Sequence, residues 1–348
     1  MKFLRQYFWI IIVIFALLFA VFLLLCCVKK KTKNHIGNSE LNHAIKQLNI
    51  RVLRYDNDLF SLDLNNLSEE IELLSKIYPP FLIEPDIWND TEQLSGLKAY
   101  LQDTIIIEIH HAAEKAVIID RFIKEIETAF GYYKVFYPDE SVPDIITLLP
   151  GLDFAVPSVY LYDSFLCVNI DMYLGAGNPF YNDSGLPLYI SERCDPAYLP
   201  VDIFKKAMVY KHLGEVQNTT LLETMITEGK KLFFTEMMLP SLHERYIIGY
   251  SEEQYNWAKT YMGNAWSYMI EKNELFGKGD ALKRIYIEEA PFTKSFGIDS
   301  PGRFGVFLGW KLVQSYMANH PEITLHDLMQ EADYQKILSK SKFKPQVK

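Results

Sequence analysis

The sequence predicts an α+β fold, predominantly helical with a small sheet. Residues 144–152 (DIITLLPGL) and 158–171 (SVYLYDSFLCVNID) are rich in β-branched and aromatic side chains, the types that fit a pleated, half-buried surface. From about residue 201 onward, apolar residues recur at spacings of three and four, the pattern of helices that bury one stripe. The chain has 348 residues and is 49% hydrophobic, enough to bury a sizeable core.

Taken in order, residues 47–62 (QLNIRVLRYDNDLFSL) begin with polar–apolar alternation and read as a short strand. Residues 67–76 read as a helix that must end before Pro79-Pro80. A helical pattern runs from about Thr91 to Phe130 and is broken at Tyr137-Pro138. The two strand candidates follow. Gly and Pro then punctuate residues 175–200, which read as a long loop. Helices are expected at about 201–213, 220–239, 252–272, 302–319 and 334–340. Strands in the first half and helices in the second give the α+β class. The expected organisation is a signal peptide over 1–26, a lipidated flexible tether over 27–45, and a single α+β domain over 46–348.

The leader decides where the chain goes. Lys2 and Arg5 precede an uncharged stretch over residues 7–28, and Lys29, Lys30, Lys31 and Lys33 follow it. A basic start and an apolar run describe a signal peptide or a signal anchor. The run could span a bilayer, which takes about 20 residues. Left uncleaved, the heavier charge on its C-terminal side would hold the body in the cytoplasm. Leu24-Leu25-Cys26-Cys27 offers a third outcome. It loosely satisfies the apolar run, small residue and cysteine that lipoprotein processing needs, with Cys27 taking the lipid. On these residues alone, lipoprotein and retained anchor both stand.

The formal charge of −9 would become −11 if Lys2 and Arg5 were cleaved away. A body this acidic is a poor nucleic-acid partner. Cys167 and Cys194 lie in the body with no CxxC or Cys/His cluster around them, so they form either a disulfide or two buried thiols.

Two segments carry unusual residues. In 220–239, Thr220 and Glu223 form a capping box and Pro240 stops the helix. Leu221, Leu222, Met225, Ile226, Leu232, Phe233 and Met237 share one side, with Gly229 near its middle. A helix-interior glycine costs roughly 1 kcal/mol against alanine, so a neighbour should press on the backbone there, and Gly229→Leu should overpack. Glu236 falls inside the apolar arc and Glu228 at its edge. Rim exposure or pairing with Lys or Arg is the expected state for both, rather than a catalytic role. In SPGRFGVFLGW (300–310), Ser300 suits an N-cap and Pro301 the first helical position. Gly305 and Gly309 make a smooth groove for a packed helix. Arg303 in a first turn opposes the helix dipole and needs an anionic partner. The ordinary partner is an Asp or Glu elsewhere in the core, Glu228 is the specific candidate, and a bound anion is the sharper alternative.

The eight histidines form no HExxH or its inverse, and His111 with Glu114 on one helix face is a single pair. No G-x-S-x-G, phosphate-binding loop or dinucleotide fingerprint occurs. No cofactor and no metal site is expected, and the chain is not expected to be an enzyme.

The segments TLLETMITEGKKLFFTEMMLP, SFLCVNIDMYLGAGNPFY, SPGRFGVFLGWKLVQSYM and ILSKSKFKPQ resemble the gliding-motility lipoprotein GldB family. RYDNDLFSLD, the YPPF at 78–81 and YPDESVPDIITLLPGLDF fit the same pattern in order, so the likeness covers about residues 48–346. The family leader ends in a lipidated cysteine followed by lysines, as with Cys27 and Lys29-Lys30-Lys31. The resemblance implies a periplasm-facing lipoprotein required for gliding and linked to the type 9 secretion machinery. It also implies partner envelope proteins and no catalytic activity. The alternative is an envelope metallohydrolase-like protein with an unrecognised site. A fainter likeness to gluzincin-type metallopeptidases implies a degenerate zincin-like scaffold. Glu228-Gly229 would match the third zinc ligand, but Met208 and Val209 stand where the first histidine and the general base belong, and only His212 survives.

Overall fold

The computed structural model describes residues 36–216 and 218–348. Secondary structure begins before the expected boundary at 46. Helix α1 (Asn38–Lys46) buries Ala44 and packs on a later helix, α5. Strand β1 is only Val52–Leu53, and a short helix, Tyr55–Phe60, follows it, so the alternating start at 47–62 yields little strand. Helix α2 (Leu67–Leu74) buries Leu67, Ile71 and Leu74. The long helical pattern that follows is three helices: α3 (Thr91–Gln102), α4 (Thr104–Ala116) and α5 (Ile119–Phe136). α4 and α5 part at Val117-Ile118, and Asp90 and Asp103 stand before α3 and α4. Each takes an extended backbone and accepts the first free N–H groups of the next helix.

Strands β2 (Asp144–Leu148), β3 (Val159–Tyr162) and β4 (Phe165–Asn169) complete a four-stranded sheet in the order β1-β2-β4-β3. β2 is parallel to β1 and β4, and β3 pairs antiparallel with β4. The expected single strand over 158–171 is therefore a hairpin. Asp163 at φ 53° and Ser164 turn the chain, the left-handed conformation that two-residue hairpins demand. Side chains alternate across the sheet. Ile145, Leu166 and Val168 join the main core, while Ile146, Leu148 and Cys167 join a second apolar cluster with Leu59, Ile71, Tyr78 and Leu101. Both faces are covered by helices and loops.

The loop expected at 175–200 contains short helical turns at Pro179–Asp183 and Leu188–Ser191. The helix expected at 201–213 is a composite. A turn of α-helix (Leu199–Asp202) widens into a π-helical turn (Ile203–Ala207) and tightens into a 3-10 turn (Met208–Lys211). π-Turns inside helices recur at functional sites.

Helix α6 (Leu221–Met238) runs through the middle of the main core. Its capping box forms as expected, with Thr220 and Glu223 satisfying each other's N–H groups. The buried surface is wider than the expected stripe and shifted by one residue at its end. Phe234 and Met238 are fully buried, whereas Phe233 and Met237 are only partly so. The shift follows from α6 being wrapped on several sides. Helix α7 (Glu252–Glu271), helix α8 (Phe304–Asn319) and helix α9 (Tyr334–Ser341) complete the second half. The α6–α8 contact is the most extensive between any two elements. A Cβ on Gly229 would lie 2.5 Å from the Gly309 carbonyl carbon and oxygen, so the two backbones touch there, as the sequence required. No helix of the described residues is long and apolar enough to cross a membrane.

Candidate functional site

Helix α8 starts three residues later than expected. Its N-cap is Arg303, at φ 54° and ψ 34°, not Ser300. Ser300 is occupied elsewhere: its hydroxyl donates to the carbonyls of Thr293 and Gly297 and fixes the loop before the helix. A left-handed arginine is a strained residue held by its surroundings. Its side chain turns back from the helix and donates through Nη2 to the Ile248 carbonyl at 2.7 Å.

The acid that meets Arg303 is Glu289, at 3.2 Å from Nε, and not Glu228. Glu228 pairs with Lys231 at 2.7 Å, one turn along its own helix, and that local partner pre-empts the cross-helix pair. Glu228 still contributes to the field at Arg303, though without contact. Glu236 takes a different solution. It accepts from Trp310 Nε1 at 3.0 Å and from Gln314 Nε2 at 2.8 Å, and burial raises its pKa.

Around Arg303 lies a cavity of about 270 Å³ that the linear sequence did not announce. Arg193 enters from one side and grips Glu289 with both guanidinium nitrogens, at 3.0 and 2.7 Å. Gly249, at φ 81°, makes room for both arginines. A Cβ there would meet Arg193 Cδ at 2.8 Å and Arg303 Nη2 at 3.3 Å. The π-turn delivers Lys205 and Lys206 to the same cavity. Asp202 anchors them, accepting from Lys206 Nζ at 2.7 Å and from the Tyr173 hydroxyl at 2.9 Å. Lys206 also donates to Ser158 Oγ at 3.0 Å. Lys205 has a looser hold, 3.5 Å from Asp202, with its side chain 15% exposed.

The electrostatics follow from this crowding. Burial opposes ionisation of Glu289, but Arg303 and Arg193 outweigh it and hold the carboxyl below its usual range. Burial likewise opposes ionisation of Asp202, and Lys206 and Lys205 outweigh it. Burial drives Lys205 down to about 8, helped by Lys206, Arg303 and Arg193 and opposed by Asp202. Burial pushes the Cys194 thiol at the cavity wall up to about 11, so it stays protonated. Cys194 and Cys167 are both buried and free, so the disulfide alternative does not form.

His212 does not meet Glu228. It is buried against aromatic rings, stacked on Tyr137 at 3.7 Å, with Tyr133 Oη 2.9 Å from its Nε2. Burial lowers its pKa to about 4. Among the described residues, no group of three or more His, Cys, Asp or Glu side chains is placed to hold a metal ion. Cys27 and the leader lie outside the described residues.

Lys230 on α6 is buried too, donating to the Glu331 carbonyl, and burial brings it to about 8. In the unfolded chain both lysines titrate near 10.5. Between about pH 8 and 10 the unfolded state therefore binds more protons, so stability rises with pH across that window. Each lysine should contribute about 1 kcal/mol by pH 9.5. Urea midpoints at pH 7.5 and 9.5 check this. The gain should shrink in Lys205→Met and again in Lys230→Met.

Fold and sequence together define a predominantly helical α+β protein with a small four-stranded sheet. Over residues 38–345 the chain matches the family described as gliding motility protein GldB, and it belongs to that family. Members of this family are membrane-anchored envelope proteins associated with gliding motility. No curated protein and no solved structure matches the chain significantly.

Proposed function

We propose that the protein is a non-catalytic, periplasm-facing lipoprotein, anchored through Cys27, that serves gliding and the type 9 secretion machinery by binding partner envelope proteins. The family supplies the cellular setting. The observation that carries the binding role is the charge pattern of the cavity. Four cationic side chains surround two carboxylates that stay ionised, and the neighbouring thiol stays protonated. Such a recess holds an anionic group well. Its carboxylates have no proton to give near neutral pH, and its thiol is no nucleophile.

Affinity purification from crosslinked cells tests the role. Specific recovery of gliding or secretion components is expected, whereas stoichiometric zinc with hydrolytic activity in the purified protein would contradict it. Anchoring has its own check. Mass spectrometry of the mature N-terminus should find diacylglycerol-modified Cys27 and no residues 1–26. An intact Met1 end would exclude the lipoprotein route.

A further inference from the structure

We propose that the cavity beneath Arg303 is a binding site for a phosphate group, either free or borne on a phosphomonoester. This rests on the reading that the cavity binds rather than turns over its ligand. Arg193, Lys205, Lys206 and Arg303 bring four positive charges to a space that, among the described residues, is lined by two acids, Asp202 and Glu289. The formal surplus is two, in a protein whose net charge is −9. Buried cations without matching anions are costly, and a bound anion relieves that cost.

The donors that remain free select the anion. Arg193 commits three of its five N–H groups, two to the oxygens of the planar Glu289 carboxylate and one to the Tyr189 carbonyl. The least committed donors are the Lys205 ammonium, bound only loosely to Asp202, and the Nη1 edge of Arg303, which makes no hydrogen bond among the described residues. Lys206 adds a third positive charge nearby. Point charges arriving from different directions suit a tetrahedral acceptor. A phosphomonoester carries about −1.5 to −2 near neutral pH, which matches the surplus, whereas one carboxylate would balance only half of it. Met172 and Ile190 form an apolar part of the wall, where the first carbons of an ester would rest. The volume of about 270 Å³ admits a phosphate and the atoms attached to it.

Charge at Lys205 makes the site pH-dependent. Asp202 and Lys206 face it from its own segment, and Arg193, Tyr198 and the protonated Cys194 from the segment before. Glu289 and Arg303 close the other side. Lys205, brought down to about 8, loses charge between pH 7.5 and 9.5, whereas a phosphomonoester is already close to a dianion at pH 7.5 and inorganic phosphate gains charge rather than losing it.

The test uses the full-length lipoprotein in detergent, titrated calorimetrically with inorganic phosphate and with glycerol 3-phosphate. Vesicles of phosphatidylcholine with and without phosphatidic acid form a third arm. Binding of one phosphate group per chain is expected, weakened at least tenfold by Lys205→Met and at least fivefold between pH 7.5 and 9.5. Lys205→Arg should bind and lose the pH dependence, because a guanidinium does not titrate there. Tighter glycerol 3-phosphate than inorganic phosphate, with retention on phosphatidic acid vesicles, would assign a lipid headgroup. Inorganic phosphate alone would assign the free ion. No binding of either compound at millimolar concentration, or binding indifferent to Lys205→Met and to pH, overturns the proposal and leaves the partner-binding role standing. Hydrolysis of glycerol 3-phosphate, followed by phosphorus NMR, overturns the binding reading itself.

Discussion

Replacing Gly309 with alanine is expected to destabilise the protein by about 3 kcal/mol or more, the upper end of the overpacking range. A Cβ there would overlap the carbonyl oxygen of Met225 on α6, and Gly229 faces the same crossing from the opposite helix. Neither obstacle is a flexible side chain. The two most heavily contacting helices would have to separate, opening gaps around Phe234, Phe307 and Leu308, all fully buried. Gly305→Ala should cost less. Its Cβ would meet the Tyr286 carbonyl at 2.8 Å, but that chain belongs to a loop-flanked helix of seven residues. Gly96 in α3 has nothing within 4 Å, so Gly96→Ala should stabilise by about 0.5–1 kcal/mol through its effect on helix propensity and the unfolded chain. Urea denaturation of the three variants measures the ordering. If Gly309→Ala fell within 1 kcal/mol of wild type, the close crossing would be wrong.

Neutralising Glu289 is the second large effect. Its carboxylate is the counter-charge of both Arg193 and Arg303, whose side chains are only 18% and 12% exposed. Removing one partner of a buried ion pair costs about 3–5 kcal/mol, because the other is left buried and charged. Glu289 itself is 43% exposed, so solvent screens part of this, and Glu289→Gln is expected to lose about 2 kcal/mol despite its matching shape. Adding Arg193→Met should cost less than the sum of the two single changes, since the double variant carries one stranded cation fewer. Strict additivity in that cycle would mean the pair is not coupled.

The parts of this architecture that were legible in the sequence were those with local causes. The capping box at Thr220 and Glu223 is written in four consecutive positions, and the structure forms it. Gly229, Gly305 and Gly309 are conspicuous because a helix interior tolerates glycine poorly, and they do mark close approaches. What sequence could not give was pairing across distance. Arg303 demanded an acid, but Glu289, in a loop with no periodic signature, was not singled out. Glu228 was chosen on the geometry of two glycine-bearing helices, and a lysine three residues along its own helix took it instead. Arg303 was read in a first turn because Ser300-Pro301 imitates a helix start. The hydroxyl is in fact spent on the loop, and the helix begins beyond a left-handed arginine.

The cavity has one faint local trace. Lys205-Lys206 interrupt the apolar run LPVDIFKKAMV, where a solvated charge would not be expected. That anomaly marks the π-turn and the two ammonium groups it delivers. The remaining wall comes from Ser158, Met172, Ile190, residues 193–198, Glu289 and Arg303, which lie far apart in the sequence and meet only in the fold, with Gly249 making room for both arginines. The hairpin at Asp163-Ser164 was hidden for another reason. Strand-forming residues flank it so closely that composition merges the two strands into one.

Colony spreading measures whether the protein works through this cationic cavity. Cells whose only copy carries Lys205→Glu would keep the Arg193–Glu289–Arg303 scaffold, but the surplus charge of the cavity would fall to zero. The variant should accumulate, carry its lipid and fold as wild type does, yet fail to support gliding, while Lys205→Arg supports it fully. Normal spreading by the Lys205→Glu strain, with the protein present at wild-type level, would contradict the account.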